Sequence, residues 1–270
     1  MQQCTVNRRT IGRGAPVCLM GVINCSPESF YPGSYVPAGR VHAEAVRMVE
    51  NGAEIIDIGA RSTAPAAPPL SRTEEVQRMG AALRELDGSG ITVSVDTMQP
   101  CVLAVCLNHD IHAVNDISGL VDAEFAKLLA ASGLPAFLMA SKQVPGDATS
   151  LQETFSCLAL VVSRCEEAGI TNYVLDPGIG LWTPARNTGL DWELCRHFEE
   201  FARFDRPLLA AVSRKTFLGE ITRKPPEQRL AASLALTATL LSKGADVVRT
   251  HDVAETRDVI RVHEQMERCR

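Results

Sequence analysis

Eight short apolar runs, each followed by a longer stretch of helical periodicity, constrain the fold of this chain more than any other feature. The runs are Val17–Ile23, Glu54–Ile58, Ile91–Val95, Ala113–Asn115, Ala136–Met139, Tyr173–Leu175, Leu208–Val212 and Asp246–Val248. Bounded by turn residues, they read as buried strands. The helical stretches are Gly39–Asn51, Ser71–Leu86, Pro100–Asn108, Asp122–Ser132, Leu151–Ala168, Asp191–Phe204, Pro226–Lys243 and Ala254–Arg268. Ser71 and Glu74 have the spacing of a capping box. Pro225 and Pro226 suit the start of a helix, where an N–H has no partner to lose. Breakers such as "NGAE", "SGLP", "AGIT" and "KGAD" follow the helices, and their glycines fit left-handed caps.

Strands alternating with helices predict a parallel α/β sheet, and eight such units predict closure into a (β/α)8 TIM barrel. The alternative is an open doubly wound sheet, which would gather its ligand at one switch point and leave most strand ends without chemistry. A barrel of this kind uses about 250 residues. With 270 residues and 46% hydrophobic content, the chain is expected to form a single domain over residues 1–270, with 1–16 as an N-terminal extension.

Composition narrows the functional classes. A net charge of −5 lacks the basic excess of a general nucleic-acid binder. The opening "MQQCTVNRRTIGRGAP" has no apolar core of a signal peptide, and no segment approaches the ~18 apolar residues of a membrane span. The nine cysteines are scattered without a C-x-x-C, as expected of reduced thiols in a cytoplasmic protein.

Polar residues stand where the strands end. They are Asn24, Asp57, Asp96, Asn115 with Asp116, the "MASK" after the fifth strand, Asp176, the series Ser213 to Thr216, and Arg249 to Asp252. A lone aspartate at such a place is usually a helix cap or turn former. So varied a set on one rim reads as a site, since barrels place their chemistry at the C-terminal mouth. Asp96, Asn115, Asp176 and Lys215 offer the directed donors and acceptors that a flat polar heterocycle needs. Asn24, Arg249, His251 and the backbone N–H groups of "GARST" suit an anion rich in oxygens, such as a diphosphate.

Taken in order, "MGVINCSPESF", "GAEIIDIGARST", "SVDT", "AVNDISGL", "VLDPGIG", "AVSRKTFLGE" and "GADVVRTHDV" resemble the pterin-binding barrel family, and within it the dihydropteroate synthases. The resemblance covers about residues 17–262. It implies attack of an arylamine on 6-hydroxymethyl-7,8-dihydropterin diphosphate with loss of diphosphate. It implies that Asp96, Asn115, Met139, Asp176 and Lys215 bind the pterin. Asn24 would ligate a Mg²⁺ shared with the diphosphate, whose oxygens Thr63, Arg249 and His251 would bind. Thr63, Ser213 and Thr216 would lie near the arylamine. Asp96, Lys215, Arg249 and His251 are the implied catalytic groups, no covalent nucleophile is needed, and a homodimer is common among such proteins.

Three loops depart from the commoner family pattern. Ala64 stands where an arginine follows the second-loop Ser-Thr, with Arg61 nearby; "MASKQVPGD" follows strand five; "LWTPARNTG" follows "DPGIG". The combination "NCSPESFY", "STAP", "MASK..PGD" and "SRKTFLGE" looks more like the dihydropteroate synthase-like proteins of methanopterin-using archaea and one-carbon-metabolising bacteria. That subtype implies a ribofuranosylaminobenzene 5′-phosphate in place of 4-aminobenzoate, with Arg61, Lys142 and Arg186 as candidates for the added phosphate. Two other readings use the same barrel: a pterin-dependent methyltransferase, which has no need of the diphosphate ligands, and a pterin-binding protein without turnover.

Overall fold

The structure is a computed structural model that describes residues 2–28, 32–62 and 70–268. Two short strands, β1 (Cys4–Val6) and β2 (Arg9–Ile11), form an antiparallel hairpin. Eight strands then follow: β3 (Cys18–Asn24), β4 (Ile55–Gly59), β5 (Val93–Asp96), β6 (Ala113–Asp116), β7 (Ala136–Met139), β8 (Tyr173–Asp176), β9 (Leu209–Ala210) and β10 (Val247–Thr250). All their pairings are parallel, in the order β8-β7-β6-β5-β4-β3-β10-β9. A single bridge between Leu175 and Leu208, with the Leu175 N–H on the Pro207 carbonyl at 2.9 Å, brings the two ends together. The expected barrel is therefore present and nearly closed.

The helices are α1 (Val41–Glu50), α2 (Arg72–Leu86), α3 (Pro100–Cys106), α4 (Ala123–Ser132), α5 (Leu151–Ala168), α6 (Thr188–Arg196), α7 (Thr216–Thr222), α8 (Leu230–Ser242) and α9 (Val253–Arg268). The capping box at Ser71 and Glu74 forms, and Gly169, at φ 72°, ends α5 in the left-handed conformation expected of it. The structure adds a helix that the sequence does not predict, α7, and among the boundaries that move two have clear local causes. Asn187 accepts the Leu190 N–H, so α6 starts before Asp191 and stops at Arg196, and a 3-10 helix continues over Phe198–Phe204. Pro225 and Pro226 open a separate 3-10 turn, and α8 begins only at Leu230.

The hairpin changes the meaning of the N-terminal extension. Cys4, Val6 and Ile11 are fully buried and pack with Met20, Ile55, Phe137, Val174, Leu209 and Val247 inside the barrel's lower end. The Thr5 N–H and carbonyl each bond the Asn172 side chain at 2.8 Å. The expected N-terminal extension thus forms the floor of the barrel, opposite the mouth.

Candidate active site

Register sets the site. Asn24 lies beside Gly59, Gly59 beside Asp96, and Asp96 beside Asn115, so four adjacent strands deliver one layer of groups at the mouth. On the neighbouring pair Asp176 ends β8 next to Met139 of β7. The cleft above is lined by Asn24, Asp96, Asn115, Asp176, Ser213, Lys215, Arg249 and His251, together with Arg61 and Trp182. It holds about 750 Å³ of atom-free space out to solvent.

One layer lower, Asp57 sits wholly buried in the middle of β4. Its Oδ2 accepts from Arg249 Nε at 2.7 Å and from Asn115 Nδ2 at 2.9 Å. Arg249 Nη2 continues to Asp96 Oδ2 at 2.8 Å. The guanidinium is thereby held between two carboxylates, and these keep its pKa above the ordinary value although burial opposes the charge. Burial pushes Asp96 up to about 7; Arg249 resists this, while Asp57 and Glu75 reinforce it. Burial also raises Asp176, against the Gly178 N–H that its Oδ1 accepts at 2.7 Å.

Lys215 is lowered to about 8, first by burial, with Asp176 opposing. Its ammonium lies 4.7 Å from the centre of the Trp182 ring. His251 is lowered to about 3 by burial and then by Arg249, Lys215 and Arg214, so it is neutral at physiological pH. Beside it, the His251 N–H donates to Ser213 Oγ at 3.3 Å. Arg214 fixes the two last loops to each other by a bidentate pair with Asp252, at 2.9 and 2.6 Å.

Some expected residues stand elsewhere. Met139 is buried beneath Gly178, whose Cβ would fall 3.0 Å from Met139 Cγ, and does not line the cleft. Thr216 is exposed on the first turn of α7. Thr63 lies outside the described residues. Arg186 is buried and paired with Asp191 at 3.2 Å, so it presents no surface cation. Arg61 does reach the cleft, held by Glu75 at 2.7 Å and the Leu70 carbonyl at 2.9 Å. Lys142 is exposed.

Asp57 and Trp182 are the groups that the strand-end reading did not assign. A carboxylate inside the otherwise apolar "IIDIG" was the available signal for Asp57.

Residues 20–251 match the family described as pterin binding enzymes. Dihydropteroate synthase type-3 of Escherichia coli is 33% identical over 255 residues, which span 90% of this chain and 97% of that protein. The Yersinia pestis dihydropteroate synthase, solved with a sulfonamide drug, superposes with a TM-score of 0.88 at 29% identity over 100% of both chains. The Xanthomonas albilineans dihydropteroate synthase, solved with 4-aminobenzoic acid, gives 0.86 at 30% identity over 98% of each. With the mouth residues already in place, these likenesses put the chain in the pterin-binding enzyme family, among the dihydropteroate synthases, which are transferases.

Proposed function

We propose that the protein joins 6-hydroxymethyl-7,8-dihydropterin diphosphate to 4-aminobenzoate in the cytoplasm, releasing diphosphate, as a step of folate synthesis. The layer Asn24, Gly59, Asp96 and Asn115, with Arg249 beneath Asp96, is the observation that carries this reading. It sets acceptors for a ring edge beside a cation for a departing anion. Asp96, Asn115, Asp176 and Lys215 hold the pterin. Arg249, neutral His251 as a hydrogen-bond donor and Thr63 hold the diphosphate, and Arg61 supplies the second-loop arginine that position 64 lacks.

Breaking the C–O bond leaves positive charge on the methylene carbon, spread into the pterin, and negative charge on the diphosphate. Asp96 stabilises the first and Arg249 the second, both preorganised and partly desolvated. The amine then needs chiefly positioning, a role proposed for Ser213, which lines the cleft, and for Thr63 and Thr216. Cys25 takes no part: burial, with Glu85 adding, pushes its thiol up to about 12, so it is not a thiolate nucleophile.

The residues fit a magnesium ion shared with substrate. Among the described residues no cluster of three His, Cys, Asp or Glu forms an all-protein cage. Asn24 Oδ1 and Asp96 Oδ2 each lie 3.7 Å from the point that a Cβ on Gly59 would occupy, with Asp96 Cβ at 3.6 Å, so the bare glycine lets both oxygens approach one spot at the mouth. Magnesium commonly binds in this manner, through one or two protein oxygens plus substrate phosphates. When bound to Asn24 it would neutralise the departing diphosphate.

The structure also bears on the choice of amine. Of the three candidate cations for an added phosphate, Arg186 is buried and spent on Asp191, which favours 4-aminobenzoate over the ribofuranosyl phosphate amine. A homodimer through α8 and α9 suits the exposed Val262 and Met266 of α9.

Diphosphate release from the pterin diphosphate with Mg²⁺, measured with each amine in turn, tests the proposal. Turnover is expected with 4-aminobenzoate. Turnover only with the ribofuranosyl amine would reassign the substrate, and none with either, alongside pterin binding, would overturn the transferase reading. Methyl transfer from a methyl-tetrahydropterin to a corrinoid would instead support the methyltransferase.

A further inference from the structure

Two of the loops that depart from the commoner family pattern, "MASKQVPGD" and "LWTPARNTG", meet in space. Gly146 of the first has φ 67°, and a Cβ placed on it would fall 2.1 Å from Trp182 Cβ and 2.3 Å from Trp182 Cγ of the second. No larger residue leaves room for the indole there.

Both sides of this contact are fixed from within. Around Gly146, Asp147 accepts the N–H groups of Lys142, Gln143 and Val144 at 2.9, 2.8 and 3.2 Å. Arg164 of α5 donates to the carbonyls of Ser141 and Lys142 at 3.1 and 2.6 Å. Around Trp182, the indole Nε1 donates to the Gly178 carbonyl at 2.8 Å. The Gly180 N–H is held by Asp191 at 2.7 Å, and Asp191 is in turn paired with Arg186. The ring so placed lines the cleft and turns its face to the Lys215 ammonium. On another side that ammonium meets bare backbone, for a Cβ on Gly180 would stand 2.9 Å from Lys215 Nζ.

We propose that Trp182 is a positioning residue for Lys215. Its ring face holds the ammonium at the pterin, and Gly146 is the seat that keeps the ring there. The attraction is that of a cation for the negative face of an indole, strengthened where water is excluded. The assignment rests on the reading of Lys215 as a pterin ligand, so its test has to separate the two.

The test is the KM for the pterin diphosphate, at saturating amine and Mg²⁺, in wild type, Trp182→Leu, Lys215→Met and the double variant. Trp182→Leu is expected to raise this KM roughly three- to thirtyfold, the span of cation–π contacts, with little change in kcat. Trp182→Phe, which keeps an aromatic face, recovers part of the loss. In the Lys215→Met background Trp182→Leu adds nothing, because there is no ammonium left to hold. Gly146→Ala, whose Cβ would fall on the Trp182 Cβ and Cγ, reproduces the rise by displacing the ring.

A Trp182→Leu protein that melts earlier but keeps its KM, or whose effect adds fully to that of Lys215→Met, overturns the positioning role. Should Lys215→Met itself leave the KM unchanged, the reading of Lys215 fails first.

Discussion

Arg249 and Asp57 stand 192 positions apart in the chain and meet beneath the mouth, Nε to Oδ2 at 2.7 Å. The same oxygen accepts from Asn115, so one buried atom orients a group proposed for the diphosphate and another proposed for the pterin. Asp57→Ala is expected to lower kcat/KM at least about thirtyfold, the low end for truncating one partner of a buried charged pair. Binding of inorganic diphosphate and of the pterin should both weaken in a titration. Weakening of only one would mean that the shared oxygen is not what couples them.

The carboxyl of Asp96 and the ammonium of Lys215 lie close together on the pH scale, at about 7 and about 8. The proposed chemistry needs the first ionised and the second protonated, so kcat/KM for the pterin diphosphate should be bell-shaped between those values. Lys215→Arg should remove the alkaline limb. Stability carries its own signature. A raised carboxyl lets the folded state keep a proton that the unfolded chain releases near ~3.9, so Asp96 contributes stability that is lost as pH rises through about 7. Thermal melts of wild type against Asp96→Asn, taken across that window, check the sign.

Neutral His251 has a measurable consequence. Burial first, and then the cations Arg249, Lys215 and Arg214, hold it near 3, and a bound anion partly offsets the cations. Diphosphate binding near pH 6 should therefore carry proton uptake, seen as a dependence of calorimetric enthalpy on buffer ionisation heat. His251→Gln should abolish that part of the uptake, and an unchanged proton count in the variant would place the proton elsewhere.

The hairpin floor separates stability from activity. Ile11 is fully buried among barrel-interior side chains, far from the mouth residues in the fold. Ile11→Ala should cost about 2–5 kcal/mol in a denaturant titration. Its kcat/KM, measured well below the melting point, should match wild type; a large fall would show that the floor reaches the chemistry.

The barrel was legible because buried parallel strands are continuous apolar runs that end in polar rim residues, as "VLDPGIG" does at Asp176. Depth along a strand was less legible. Asp57 and Asp96 both looked like strand-end carboxylates, yet register sinks Asp57 a layer lower, where it orients groups beneath the mouth. The hairpin is not legible in the sequence because three-residue strands joined at Asn7 and Arg8 show almost no periodicity and lack glycine at the turn. Arg186 looked like a free cation because its partner, Asp191, faces it only once α6 forms.

Since the floor joins residues 4–11 to β9 and β10, its two halves are made about two hundred residues apart. During synthesis the hairpin's apolar side must wait, without its full cover, until Leu209 and Val247 have emerged. Such distant pairing makes the last folding step slow and leaves the incomplete chain prone to association. Refolding should therefore show a late phase that acquires the mouth and the floor together, as the ring of strands closes.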